Sequence, residues 1–233
     1  MKKYSLTTAA AIAAFAASSA IAGTAHAGST DGRFQVKLLG TGVLPDGKID
    51  EVKFIDPTLA GLPAFAAPQT KANDNYVPTI AVEYFFTPNI SAETICCTTA
   101  HHVTGQGSAA GASLVDHVLI VPATLTVKYH LPLGPIKPYV GAGPSVFIVL
   151  DDRPGDTARA LGVTNTKLSS QVGVALQAGV DVPLGDTGLG LSLDAKKYWV
   201  NTTAHFYAGS TEVLTTKHKL DPWLLSAGLS YRF

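Results

Sequence analysis

Side chains able to do bond-making chemistry are few and scattered in this chain of 233 residues. Apart from His26, the histidines are His101, His102, His117, His130, His205 and His218, and none stands in H-E-x-x-H, G-x-S-x-G or C-x-x-C spacing. Adjacent His101 and His102 in an extended segment point to opposite faces, so they do not chelate one metal as a pair, and His117 approaches them only across a loop. Asp151, Asp152 and Asp156 lack the spacing of a calcium loop. Cys96 and Cys97 also diverge in a strand, and a bond between neighbours strains the peptide, so free thiols are expected. The chain therefore reads as a non-enzyme with no catalytic set, no cofactor and no metal site.

The chemistry that remains is charge and greasiness, and both follow a period of two. In Tyr76–Phe86 and Leu119–Tyr129 one set of alternate residues is greasier than the other. The same holds for Gln171–Val182, Leu189–Asp194 and Trp223–Phe233. Adding Phe34–Gly42, Ile90 to about Thr104, and Lys137–Val149 gives eight candidate strands, an even number suited to a closed antiparallel barrel. The connections at Thr87–Asn89, Leu131–Ile136 and Pro183–Gly188 are tight and rich in turn residues, whereas 43–75, 105–117, 150–167 and 207–219 are long. Aromatic residues cluster at the tight-turn end, namely Phe34, Tyr84, Phe86, Tyr129, Tyr231 and Phe233, as an interfacial girdle does. In bacterial outer-membrane barrels the short turns are periplasmic, which places both termini on that side. A lipocalin-like soluble barrel is the structural rival, with its apolar face inside.

Composition agrees with a membrane barrel. The chain is 46% hydrophobic and only 15% charged, with 17 residues of each sign, which excludes a disordered polymer or a nucleic-acid binder. After the first two dozen residues there is no run of roughly 18 apolar residues, so no spanning helix can form, and a closed barrel is the other structure that satisfies its backbone in lipid. Lys2 and Lys3, the alanine-rich stretch Leu6–Ala22 and the Ala25-His26-Ala27 site read as a signal peptide over residues 1–27, leaving residues 28–233 as one barrel domain. Without Lys2 and Lys3 the mature chain is slightly acidic.

With the greasy face turned to lipid, the other face lines the lumen. Near the tight turns it carries Lys37, Glu83, Glu93, Lys128, Asp181, Asp194, Lys196 and Arg232, joined by Gln35 and Gln177. Balanced charges in a barrel just wide enough for its own side chains are expected to pair as a plug, the alternative being a proton or ion pathway. Towards the long loops the same face offers Leu39, Thr41, Val77, Ile95, Ile120, Ala175, Val200 and Leu224. This lining either holds an apolar solute or packs on itself. Phe54, Ile55, Leu59, Leu62 and Phe65 in the first long connection form a lid or an irregular surface loop. Proline and glycine weaken a strand ladder, and Pro122, Gly141, Gly143 and Pro144 mark the expected lateral opening, between the fourth and fifth strands.

Six segments in order, Val82-Glu83-Tyr84-Phe85-Phe86-Thr87-Pro88-Asn89, Pro122–Leu125 leading to Lys128-Tyr129-His130, Lys137-Pro138-Tyr139-Val140-Gly141-Ala142-Gly143, Leu176–Asp181, Asp194–Trp199, and Leu220–Trp223 with Tyr231-Arg232-Phe233, resemble the outer membrane protein W family over nearly the whole mature chain. The resemblance implies an eight-stranded outer-membrane barrel with an unusually hydrophobic interior, associated with passage of small apolar molecules and with stress responses. The aromatic Phe233 resembles the signal read by the barrel-assembly machinery. Cys96-Cys97, His101-His102 and the first connection depart from that pattern. The reading is an all-β, eight-stranded transmembrane barrel of a Gram-negative outer membrane. Outer-membrane lipid, small hydrophobic solutes and the assembly machinery are its partners, and nucleic acid is not. It binds apolar solutes in its upper lumen and passes them sideways into the membrane. The alternatives are a loop-displaying adhesin or phage and bacteriocin receptor, and a lipid-modifying enzyme, for which no Ser/His/acid set appears.

Overall fold

The computed structural model describes Ser29 and residues 31–134 and 136–233; the expected signal peptide at 1–27 lies outside the described residues. Fourteen strands run in chain order: β1 (Phe34–Leu44), β2 (Lys48–Ile55), β3 (Pro68–Ala72), β4 (Asn75–Phe85), β5 (Ile90–Cys96), β6 (Thr99–Gly107), β7 (Ser113–His130), β8 (Lys137–Pro154), β9 (Asn165–Leu168), β10 (Gln171–Pro183), β11 (Leu189–Trp199), β12 (Asn201–Ala208), β13 (Thr211–Lys219) and β14 (Trp223–Arg232). Helical turns are α1 (Pro57–Ala60), capped by the Asp56 side chain on the Thr58 N–H, and α2 (Asp156–Ala160).

Closure is antiparallel throughout: β1 pairs with β14 and β4, β14 with β11, β11 with β10, β10 with β8, β8 with β7, β7 with β5, and β5 with β4. With no free edge the backbone is satisfied without water, the condition for crossing lipid. The eight barrel positions match the alternation, and so does its sense. Leu38, Ile80, Leu125, Val127, Leu176, Leu193 and Leu229 are exposed, while Lys37, Glu83, Thr126 and Lys128 are buried, the reverse of a soluble barrel. Around the tight-turn end Phe34, Tyr84, Phe86, Phe233 and Tyr231 stack in sequence at centroid distances of 5.0 to 6.0 Å. Tyr76, Trp199 and Trp223 form an exposed upper set.

Two details depart from the sequence reading. First, the long connections are built, not irregular. β7 and β8 each run 18 residues, well beyond the ~9–11 that a tilted strand needs to cross the hydrocarbon, so their upper halves project outside. There a four-stranded sheet, β2-β13-β12-β9, and the β3–β6 pair continue the barrel wall. The chain 43–75 thus supplies two strands to the wall. Second, the third barrel strand is broken. β5 and β6 share one register on β7, Ile95 opposite Thr124 and Thr99 opposite Ile120, but Cys97 and Thr98 between them belong to neither. Continuing the registers sets Cys97 against Pro122 on one side and Thr98 against Pro78 on the other. Proline has no N–H to give, so both neighbouring ladders lose a rung there. Above that break β6 leaves β4 and pairs with β3.

Candidate binding site

The lower lumen is filled by ions in contact. Lys37 Nζ lies 3.1 Å from Glu83, 3.1 Å from Glu93 and 3.2 Å from Asp181. Lys128 is 2.8 Å from Glu83 and 2.9 Å from Glu93. Lys196 is 3.0 Å from Glu93 and 2.7 Å from Asp194. Alternation brings all seven to one place because each stands on the inward face of its strand. The remaining acceptors are used by neutral donors. Gln177 Nε2 bonds Glu93 and Asp194, Ser192 bonds Asp181, and Tyr139 O–H donates to Asp194 at 2.7 Å. The Tyr139 ring also lies 3.7 Å beneath the Lys128 ammonium. Buried charge persists only where it is matched and hydrogen-bonded in this way.

The eighth expected member, Arg232, does not join. It sits at the tight-turn rim, donates from Nε to the Gly32 carbonyl at 2.6 Å, and stacks 3.6 Å over the Phe85 ring. His130 takes a place the sequence reading did not give it, 2.9 Å from Glu83 and 2.8 Å from Ser91. Extending the alternation by one residue past Tyr129, and reading Tyr139 on the odd face of β8, finds both.

Above the ions lies an apolar layer. Leu39, Ile95, Ile120, Ala175, Val200 and Leu224 belong to one buried cluster with Val77 packed against it, and Tyr198 at its centre meets Phe147 edge-on at 5.3 Å and Thr124 at 3.1 Å. Of the seven expected apolar lining residues, Ile120 and Leu224 line the lower cavity and none lines the upper one. The space begins higher. A lower cavity of about 50 Å³ is bounded by Val43, Val118, Ile120, Phe147, Leu224 and Pro122, with Thr99 and His101. An upper cavity of about 80 Å³ in the extension is bounded by Ile49, Phe65, Val115, Leu161, Phe206 and Leu214, with Thr70, Thr216 and His218. Ala72, Val103, Leu168 and Leu220 line both. Of the first connection's apolar residues, Phe65 walls the upper cavity, whereas Phe54 and Leu62 are exposed. Sequence reasoning missed the upper cavity because its walls come from stretches assigned to loops.

The polar groups of the cavities are turned away from their space. His101 contacts the Asn73 carbonyl at 2.7 Å and Thr99 at 2.9 Å; His218 contacts Thr70 at 3.2 Å and Thr216 at 2.7 Å. Burial without an acidic partner holds the His218 imidazole down at about 4, so it is neutral at ordinary pH. Such walls suit a solute with no charge and no hydrogen bonds to satisfy.

The expected opening between β7 and β8 is closed. Apart from bulges at Asp116 and Leu150, their ladder misses Leu125 with Pro144 and Thr126 with Gly143, and there the backbones touch. A Cβ on Gly143 would stand 1.9 Å from the Leu125 carbonyl oxygen, and one on Gly141 would stand 2.9 Å from that of Val127. Glycine at these positions draws the strands together instead of parting them. The discontinuity is at Cys97–Thr98, where Pro122 reaches the lower cavity. Over Tyr76–Thr79 no ladder rung joins β4 to β5 or β6 among the described residues; the Asn75 amide bridges instead, 2.9 Å from the Ala100 carbonyl and 3.3 Å from Thr99. Cys97 is buried on the lumen side and Cys96 exposed to the outside, both as thiols.

Comparison with known proteins agrees with this architecture. A model of the OmpW family matches residues 30–233. The outer-membrane protein y4mB of Sinorhizobium fredii is 32% identical over 203 residues, spanning 86% of this chain and 80% of its own. OprG of Pseudomonas aeruginosa superposes with a TM-score of 0.71 at 22% identity, over 88% of this chain and 98% of that one. AlkL, solved in lipid bilayers, gives 0.66 at 22% identity over 91% and 95%. At that identity the last two speak for the fold alone.

Proposed function

Since the chain belongs to the OmpW family, and so to the Gram-negative outer membrane with both termini periplasmic, we propose that it conducts small apolar molecules from the outside into the membrane without catalysis. They enter the upper cavity, pass to the lower one and leave sideways through the wall. The observation that carries this reading is an apolar path that ends on a sealed ionic layer. An apolar solute gains nothing by entering that layer, and parting a buried pair costs about 3 to 5 kcal/mol. A side exit at Cys97–Thr98 crosses a wall lacking two ladder rungs, beside the lower cavity. Phe233, the exposed terminal aromatic, is the handle for the barrel-assembly machinery on this reading.

The test locks that seam. In a Cys96→Ser, Cys97→Ser background, Tyr76→Cys and Ala100→Cys stand opposite each other when the β4–β5 register is continued across the break, next to the Asn75–Ala100 hydrogen bond. With the disulfide formed, the barrel should still bind a hydrophobic fluorophore but stop delivering it to the membrane, and reduction should restore delivery. A control bond between β7 and β8 should change nothing. Full delivery through the locked seam would refute the lateral route.

A further inference from the structure

Among the described residues, Ala72, Val103, Leu168 and Leu220 are the four that line both cavities, and they come from four separate parts of the chain. Ala72 ends β3 and pairs with Val103 of β6. Leu168 ends β9, in register with Ala204 of β12. Leu220 follows β13, with its N–H on the Val200 carbonyl at 3.0 Å and its own carbonyl accepting from Asp46 at 2.9 Å. Ala72, Val103 and Leu168 are in strands, and Leu220 is tied by its backbone to residues that flank strands, so the aperture they surround is set by wall geometry, not by a loop tip.

We propose that these four side chains are the size filter of the passage, and that the solutes it admits are slender, unbranched apolar chains. The inference rests on the passage reading above and adds its selectivity. Three members are branched aliphatics, and the fourth is the smallest side chain with a Cβ. Ala72 is held at close quarters: Gly47, at φ +66°, approaches so closely that a Cβ there would lie 2.6 Å from the Ala72 nitrogen and 2.8 Å from its Cβ. Gly47 also lines the upper cavity, so added bulk at Ala72 narrows the space there. The cavities on either side hold about 80 and 50 Å³, so neither accommodates a wide, rigid molecule while it waits to turn. A flexible chain threads such a neck in extended form. A fused-ring hydrocarbon of the same carbon number does not.

The experiment measures initial uptake of n-decane and of decalin by cells that make the full chain in an outer membrane otherwise free of such barrels, normalised to folded surface protein. The parent should favour n-decane over decalin by about tenfold or more, the scale on which an apolar site resolves a change of shape. Val103→Ala with Leu220→Ala should raise decalin uptake and bring that ratio towards one. Ala72→Leu should lower uptake of both while the barrel still folds, as judged by heat-modifiable migration. If the double variant folds poorly, Leu220→Val alone, which keeps the packing closer to the parent, should shift the ratio in the same direction. Unchanged selectivity in folded variants that still take up n-decane would overturn the filter and leave the passage standing. If the parent takes up neither hydrocarbon above cells lacking it, the passage reading fails, and the filter with it.

Discussion

The two halves of the lumen are built on the same eight-position wall and filled in opposite ways. Below, the inward positions near the tight turns are mostly charged or hydrogen-bonding, and Lys37, Lys128 and Lys196 share Glu83, Glu93, Asp181 and Asp194 so tightly that the space is used up. Above, the inward residues are mostly aliphatic, aromatic or hydroxyl-bearing, with His101 and His218 among them, the strands run on past the membrane, and two cavities remain. An eight-stranded barrel has just enough interior for its own side chains. It therefore gains room by splaying and extending its wall, as β2, β3, β9, β12 and β13 do here. Separating the ions of the lower half is costly, whereas neither cavity of the upper half is lined by an acidic or basic side chain other than histidine.

The largest expected effect comes from breaking that contrast at its ionic hub. Glu93 faces Lys37, Lys128 and Lys196 at once. Glu93→Gln removes the carboxylate that three buried ammonium groups share and should lower unfolding free energy by about 3 to 5 kcal/mol in urea titrations of the bilayer-embedded barrel. Adding Lys196→Met should recover part of the loss, since the pair then leaves together. A Glu93→Gln barrel as stable as the parent would mean that water reaches these groups, and that the lower half is a pore.

Next in size is a test of which side is out. Leu176 is 53% exposed on the outer face, beside Gln177 of the ionic layer. Leu176→Arg should cost about 2 to 4 kcal/mol if it meets the bilayer interior, measured in the same titration. A loss well under 1 kcal/mol would put that face in water and reverse the assignment of faces.

The barrel strands and the inward charges were legible because a period of two sorts residues without knowledge of partners: Lys37, Glu83 and Lys128 lie far apart in sequence, yet each is the polar member of an alternating run. Arg232 fits the same pattern and still differs, because alternation gives the face and not the height, and this residue stands at the rim. The expected opening at Pro122, Gly141, Gly143 and Pro144 is closed in the structure for a related reason. Glycine and proline were both read as weak points, but Gly141 and Gly143 remove side chains that would hold the strands apart, whereas Pro78 and Pro122 remove hydrogen bonds. Only the latter loosens a ladder, and register was needed to see that both prolines oppose one break. The upper cavity was hidden because Ile49, Phe65, Leu161 and Phe206 come from segments whose pairing partners are distant.

The smallest effect separates the halves by their answer to acid. His218 holds β13 against Thr70 of β3 in the upper extension, and burial keeps its pKa near 4, below the ~6.5 it takes when the segment opens to water. The folded state resists the proton and the opened state takes it, so stability is full above the higher value and falls as pH drops through the interval towards 4. At a pH of about 5 the local cost should approach 2 kcal/mol. Hydrogen exchange of the β3 amides should therefore accelerate between neutral and mildly acid pH, after correction for intrinsic rates, while amides of β10 and β11 beside the ionic layer stay protected. His218→Leu, which keeps the apolar wall and removes the titrating ring, should flatten the response of β3. Acceleration of equal size in that variant would assign the acid response to another group and leave His218 a neutral spacer between two threonines.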